Sequence, residues 1–350
     1  MEKITTLYKE KYCTNMVFPT ILIQKYNLYM ECSMEAEKVR IGISSCVLGE
    51  KVRFDSGHKI SNFVTKELSP YLDFVSVCPE VGIGLSVPRP TIRLISNEER
   101  IALVETKDET KDYTDSMLSF SHNTVDQLSQ DKLCGYIVCA KSPTCGMERV
   151  KVYKHKRADK EGIGMYTEVL MTKMPWLPVE EDGRLNDPVL KENFITRVYS
   201  LQDFYDSMGN EVTAGKVVAF HSRYKLSLMA HDPSSYKELG RLVANVKEYD
   251  TEEFYQKYRL GFMLAMKKRA SRKNNTNVLM HIQGYFKKYL DKQQKAELAK
   301  VIDEYRTGIL PLLAPLTLIK HYISTYPDEY LANQKYLEPY PQELRLRYGL

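Results

Sequence analysis

Short apolar runs rich in β-branched residues, each ending abruptly at cysteine, constrain this chain more than any other feature. Val39-Arg40-Ile41-Gly42-Ile43 stops at Ser44-Ser45-Cys46, and Val75-Ser76-Val77 stops at Cys78-Pro79. Tyr136-Ile137-Val138 stops at Cys139-Ala140, with Lys141-Ser142-Pro143-Thr144-Cys145-Gly146 directly behind it. Such runs read as buried strands and their Ser/Pro/Gly ends as loops. If the strands are parallel neighbours, the loops share the sheet edge where open α/β folds bind ligands.

The first half alternates. Strands are expected over 39–45, 73–78, 91–96, 101–105 and 133–139, and helical spacing over 58–68 and 114–129. That alternation predicts an α/β domain with a mostly parallel sheet, over 39–185. Pro88 and Pro90 keep Gly84–Pro90 out of a helix, so a loop presents Arg89. Pro175, Pro178 and Pro188 open the passage between halves. A helix over 188–206 fills a linker region, 186–212, with Gly209-Asn210 at its boundary. From 213 to 350 apolar residues recur at helical spacing over 213–230, 234–248, 251–270, 276–290, 292–307 and 312–324, which predicts an all-helical domain. Residues 1–38, with Cys13 and Cys32, precede the strand pattern and read as an extension without a catalytic role.

A length of 350 residues suits two domains. The sequence has no apolar run of about 18 residues and no signal-peptide pattern, so a cytoplasmic protein without a membrane span is expected. Seven cysteines, an odd number, then read as thiols or metal ligands and not as a disulfide framework. The net charge of +5 is uneven: residues 205–350 hold 23 Lys+Arg against 16 Asp+Glu, and residues 1–204 hold 27 against 29. A basic second half suits a polyanionic partner or a basic helical surface.

Cys46, Cys78 and Cys145 form no Cys-x-x-Cys pair, so zinc-ribbon and ferredoxin spacings are excluded. Spacing alone leaves two readings open. Three thiols can pack as small hydrophobes, or they can hold a metal centre with one open position. Cys134 and Cys139 lie within a strand and read as packing. Catalysis at an open position needs an acid or base nearby. Glu80 follows Cys78 by two residues and Ser142 precedes Cys145 by three. Arg53, Asp55, His58 and Arg89 are further polar candidates, with salt bridges and loop caps as the alternative role. In the second half Lys267, Lys268, Arg269, Arg272 and Lys273 fall within seven residues, near His281, Tyr285, Lys287 and Lys288. Cations neutralise phosphates and aromatics stack on unpaired bases; the alternative is a solvated helix end.

The runs Ser44-Ser45-Cys46-Val47-Leu48-Gly49, Val52-Arg53-Phe54-Asp55-Ser56-Gly57-His58-Lys59, Cys78-Pro79-Glu80-Val81, Val87-Pro88-Arg89-Pro90 and Lys141-Ser142-Pro143-Thr144-Cys145-Gly146 resemble the thiouracil desulfidase family. The resemblance implies a 4Fe–4S cluster on Cys46, Cys78 and Cys145 with one iron free of protein ligands. It also implies Glu80 and Ser142 as catalytic residues. Further on, His221-Ser222-Arg223-Tyr224-Lys225, Leu239-Gly240-Arg241-Leu242 and Asn277–Lys287 resemble a bacterial all-helical domain that occurs alone or fused behind the desulfidase domain. Fused proteins of this kind resemble tRNA 4-thiouridine desulfidases. That implies tRNA as partner and Lys267, Lys268, Arg269, Arg272 and Lys273 as RNA-binding residues. One departure is Asn274-Asn275, where relatives often carry a histidine. Two other readings stay in view: a desulfidase of free thiopyrimidines, and a non-catalytic RNA-binding protein.

Overall fold

Strand β1, Val39–Ser44, sits inside a four-stranded sheet and is flanked on both sides by parallel partners. Ile41 and Ile43 are fully buried, which is why the run reads as apolar. The computed structural model describes residues 38–96, 100–154, 157–209 and 211–347. The expected extension, with Cys13 and Cys32, lies outside the described residues.

The first sheet has the order β2-β1-β5-β8, with β2 Leu72–Val77, β5 Tyr136–Val138 and β8 Val179–Glu181, all parallel. The second sheet has the order β4-β3-β6-β7, with β3 Ile92–Ser96, β4 Ile101–Glu105, β6 Val150–Lys154 and β7 Arg157–Gly162. Only its β3/β6 pair is parallel; β3/β4 and β6/β7 are antiparallel. The α/β reading holds, with the parallel sheet carrying the cysteine loops. Helices α1 (Thr114–Gln130) and α2 (Met165–Lys173) pack on each other.

The helix expected over 58–68 is shorter. Only Phe63–Leu68 is helical. The Lys59 amide donates to the Cys46 carbonyl at 2.8 Å and the Ser61 amide to the Val47 carbonyl at 3.0 Å. Those bonds hold residues 59–61 against the turn after β1 and take them out of any helix.

Helix α3, Pro188–Met208, starts at Asp187, whose carboxylate accepts the Val189 and Leu190 amides at 2.9 Å each. It buries Phe194, Ile195, Val198, Leu201 and Phe204. Each such side chain contributes roughly 1.5–3 kcal/mol of transfer free energy. Val198 and Phe194 press against Gly135, where a Cβ would lie 2.7 Å from Val198 Cγ2. Phe204 meets Phe220 edge-on at 5.2 Å on α4 (Ala214–His231). One hydrophobic core therefore runs from the parallel sheet through α3 into α4, α5 (Pro233–Ala244) and α6 (Thr251–Lys267).

A second core lies among the C-terminal part of α4, α7 (Arg272–Tyr285), α8 (Lys292–Thr307) and α9 (Leu313–Thr325), around Leu226, Leu279, Ile302 and Ile319. Among the described residues no helix is long and apolar enough to cross a membrane.

Candidate functional site

The parallel sheet delivers four chain ends to one edge. β1 leads into Cys46, β2 into Cys78, β5 into Cys139 and the loop to Cys145, and β8 into Asp182. From β1 the chain steps to β2 on one side and later to β5 on the other, so a crevice opens at the carboxyl ends of the strands. A cavity of about 720 Å³ occupies it. Cys46, Cys78, Cys139, Cys145, Glu80 and Ser142 all line it.

Each loop is fixed by its own chemistry. Cys46 lies in a single helical turn, Ser45–Leu48, closed by Gly49 at φ 102°, a left-handed conformation that favours glycine. Cys78 stands at the start of the turn Pro79–Gly82, with the Val81 and Glu80 amides near enough to favour its thiolate. The Cys145 loop lies across the start of α2. The Met165 and Tyr166 amides donate to the carbonyls of Pro143 and Thr144 at 3.1 and 3.0 Å, which satisfies two of the first-turn donors. A Cβ on Gly164 would fall 2.6 Å from the Cys145 nitrogen, so only glycine admits this approach.

Glu80 is held from two sides. Arg89 Nε donates to Oε2 at 2.8 Å and Nη2 donates to the same oxygen. Thr144 Oγ1 donates to Oε1 at 2.9 Å. Arg89 is buried, and its Nη2 also reaches the Val52 carbonyl at 2.8 Å. Ser142 Oγ lies 2.9 Å from Thr144 Oγ1 and accepts the Thr144 and Cys145 amides at 3.2 and 3.1 Å. Because the Thr144 proton goes to Glu80, the Ser142 hydroxyl donates to Thr144. Ser142, Thr144, Glu80 and Arg89 thus form one directed chain of hydrogen bonds.

The thiols differ in setting. Burial pushes the Cys145 thiol up to about 12, opposed by the hydroxyls of Thr144 and Ser44. Burial also raises Cys78, opposed by its two backbone amides. The Cys46 and Cys139 thiols act on each other. Their interaction raises Cys46 and lowers Cys139, so Cys139 is the first of the two to lose its proton, helped by the neighbouring Lys59 ammonium. Lys59 Nζ is itself paired with Asp182 at 2.9 Å, and Asp182 accepts the Ala140 amide at 2.8 Å.

The structure brings Cys46, Cys78, Cys145, Glu80 and Ser142 to one cavity, with Arg53, Asp55, His58 and Arg89 on its wall. Cys134 is outside it, with its thiol on Gln202 Oε1 at 3.1 Å. Cys139 is buried, as a packing cysteine should be, yet it lines the cavity because β5 ends at Val138. Sequence reasoning also passed over Thr144, Lys59 and Asp182. The Ser-x-Thr spacing of Ser142 and Thr144 was the available signal for the first.

Among the described residues no three His, Cys, Asp or Glu side chains are gathered tightly enough for a single metal ion. Cys46, Cys78 and Cys145 stand on three separate loops around an open cavity, and thiolates are the ligands that iron–sulfur clusters take.

In the helical half the basic run bridges the end of α6 and the start of α7, and all five cations are exposed. Lys268 Nζ pairs with Asp232 at 2.6 Å. Arg272 lies over the Tyr305 ring at 4.8 Å and donates to the Tyr305 carbonyl. Arg269 borders a small cavity beside Glu192 and Arg347. Among the described residues Lys267 and Lys273 take part in no ion pair. Tyr285 stacks on Tyr330 at 5.4 Å, so one face of its ring is covered.

These features fall within two known families. The model described as 2-thiouracil desulfurase matches residues 41–182, and the model described as Protein of unknown function (DUF1722) matches residues 225–341. Residues 41–182 thus match a 2-thiouracil desulfurase domain, and a DUF1722 domain follows it. It is 37% identical over 159 residues, 45% of its length, to Uncharacterized protein YbgA of Escherichia coli (strain K12), of which it covers 94%. It is also similar to a solved structure titled 4Fe-4S-dependent thiouracil desulfidase TudS, at 23% identity and a TM-score of 0.36, over 43% of this chain and 95% of that one.

Proposed function

We propose that this protein removes sulfur from 4-thiouridine in tRNA, giving uridine and sulfide, with a 4Fe–4S cluster held by Cys46, Cys78 and Cys145. The observation that carries the reading is the Ser142–Thr144–Glu80–Arg89 chain, set in a cavity that also receives four thiols from three strand ends. When bound, the cluster supplies a Lewis-acidic iron that draws electron density from the thiocarbonyl carbon through its sulfur.

Everything else falls to the chain's own residues. Glu80 Oε1 orients a water and takes its proton as the oxygen attacks the ring carbon. Arg89 fixes the carboxylate so that this oxygen keeps one direction. A proton received at Glu80 is handed on through Thr144 Oγ1 to Ser142 Oγ once both hydroxyls turn. Ser142 then returns it toward the departing sulfur. Oxygen replaces sulfur at the same oxidation level, so no electron donor is needed.

The cavity is large enough for a nucleotide base and ribose. A base in tRNA must be unstacked to reach it. The exposed cations Lys267, Lys268, Arg269, Arg272 and Lys273 supply phosphate contacts; among the described residues only Lys268 of the five is held in an ion pair, with Asp232. The alternative reading, a desulfidase of free thiopyrimidines, draws on the family's description. Heavy-oxygen water tests the chemistry: uridine formed in tRNA should carry the label, with one sulfide released per uridine. Unlabelled uridine would refute the hydrolytic step.

A further inference from the structure

We infer that Cys46 and Cys139 form a peroxide-oxidisable dithiol, whose disulfide withdraws Cys46 from the cavity's set of free thiols. The two thiols line one cavity and act on each other although 93 residues separate them in the chain. Their strands, β1 and β5, are parallel neighbours with Ile43 level with Ile137. The chain therefore leaves the sheet at Ser45-Cys46 and at Cys139 side by side. The Cys139 amide donates to Ser44 Oγ at 3.1 Å and fixes the two ends together. Adjacent strands lie about 4.8 Å apart, and disulfides need Cα atoms roughly 4.4–6.8 Å apart. Bridging them requires little backbone movement.

Access is asymmetric. Cys46 is half-buried on the cavity wall, and Cys139 is 3% exposed behind it. A hydroperoxide entering the cavity meets Cys46. The Cys46 sulfur, its proton passed to the neighbouring Cys139 sulfur, attacks the O–O bond, becomes a sulfenic acid and releases an alcohol, or water from hydrogen peroxide. The Cys139 sulfur then displaces water from it and the S–S bond forms. One hydroperoxide is reduced by two electrons and the two thiols are oxidised by two. Cys78 and Cys145 sit on other loops, where the Cys78 sulfur meets backbone amides and the Cys145 sulfur meets hydroxyls.

The oxidation does not depend on the substrate proposed above; only its consequence for iron rests on that reading. The test uses the full-length protein stripped of iron, with no tRNA present. After brief hydrogen peroxide treatment, alkylation and non-reducing digestion, the expected product is a peptide pair joined through Cys46 and Cys139 and split by dithiothreitol. Reconstitution of the oxidised protein should lose iron uptake and regain it after dithiothreitol. Cys139→Ser should abolish the cross-link and leave Cys46 as sulfinic acid. Pairing of Cys46 with Cys78 or Cys145 instead, or oxidised Cys46 beside an alkylated Cys139, would overturn the assignment. If the cross-link forms but iron uptake is unchanged, the withdrawal of Cys46 is refuted.

Discussion

Arg89 grips Glu80 with two guanidinium nitrogens on the one oxygen Oε2, Nε at 2.8 Å, and leaves Oε1 to Thr144. A carboxylate so held has one oxygen committed to position and one committed to proton traffic. Glu80→Gln should lower kcat by about a hundredfold to ten-thousandfold, the usual contribution of a general base, with iron content unchanged. Arg89→Met should lower kcat with a smaller change in KM. Steady-state kinetics with parallel iron assays check both, and a Glu80→Gln protein of normal activity would remove the base from the account.

Thr144 joins Ser142 to Glu80 by bonds of 2.9 Å on each side. Thr144→Val keeps the shape and breaks both. Loss of about 1.4 kcal/mol of transition-state stabilisation is a tenfold rate, so kcat should fall about tenfold while Thr144→Ser restores most of it. Equal rates in the Val and Ser variants would show that no proton passes here.

The thiols should separate cleanly. Cys46→Ser, Cys78→Ser and Cys145→Ser should each fail to hold a cluster on anaerobic reconstitution, judged by iron and labile sulfide. Cys134→Ser should load normally, because its thiol faces Gln202 and not the cavity. Gly164→Ala should also impair loading, since the new methyl pushes the Cys145 backbone from its place.

Acid should weaken the fold through His221. Burial, and then the nearby Lys225, hold this imidazole down from 6.5 to about 4. It is 4% exposed, between Tyr236 and Tyr258, and shares a 3.0 Å hydrogen bond with the Tyr258 hydroxyl. Between those two values the unfolded chain binds a proton that the folded chain refuses. Its contribution to stability is thus complete above the unfolded value and drains away as pH falls toward the folded one. From pH 7 to pH 5 the loss from this group is about 2 kcal/mol. Denaturant midpoints of His221→Gln should vary less over that interval than those of the parent. Equal pH slopes would contradict the assignment.

The strands that carry the site were legible because β1, β2 and β5 are apolar and end at residues that stop a strand. The β6–β7 hairpin was not. Arg157-Ala158-Asp159-Lys160-Glu161 has no apolar face, and β7 exists through backbone pairing such as Val152 opposite Asp159. The helical half was read almost element by element, since α5 to α9 each bury one stripe and α4 buries residues toward both cores. The expected helix over 58–68 lost its first part to tertiary hydrogen bonds around Cys46 that no local period announces. Glu80 and Ser142 could be named from their motifs. Thr144 as the link between them could not, because it depends on two loops meeting 64 residues apart in sequence. Cys139 looked like packing, and it is buried. Only the end of β5 at Val138 turns its thiol toward Cys46.

The most direct test of the account is the nucleoside content of bulk tRNA after anaerobic incubation with cluster-loaded protein. The account predicts that 4-thiouridine falls with an equal gain of uridine. It also predicts that Lys267→Ala with Lys273→Ala raises KM for tRNA and flattens its salt dependence, leaving turnover of free 4-thiouracil unchanged. Intact 4-thiouridine in tRNA, beside rapid sulfide release from free thiopyrimidines, would contradict it.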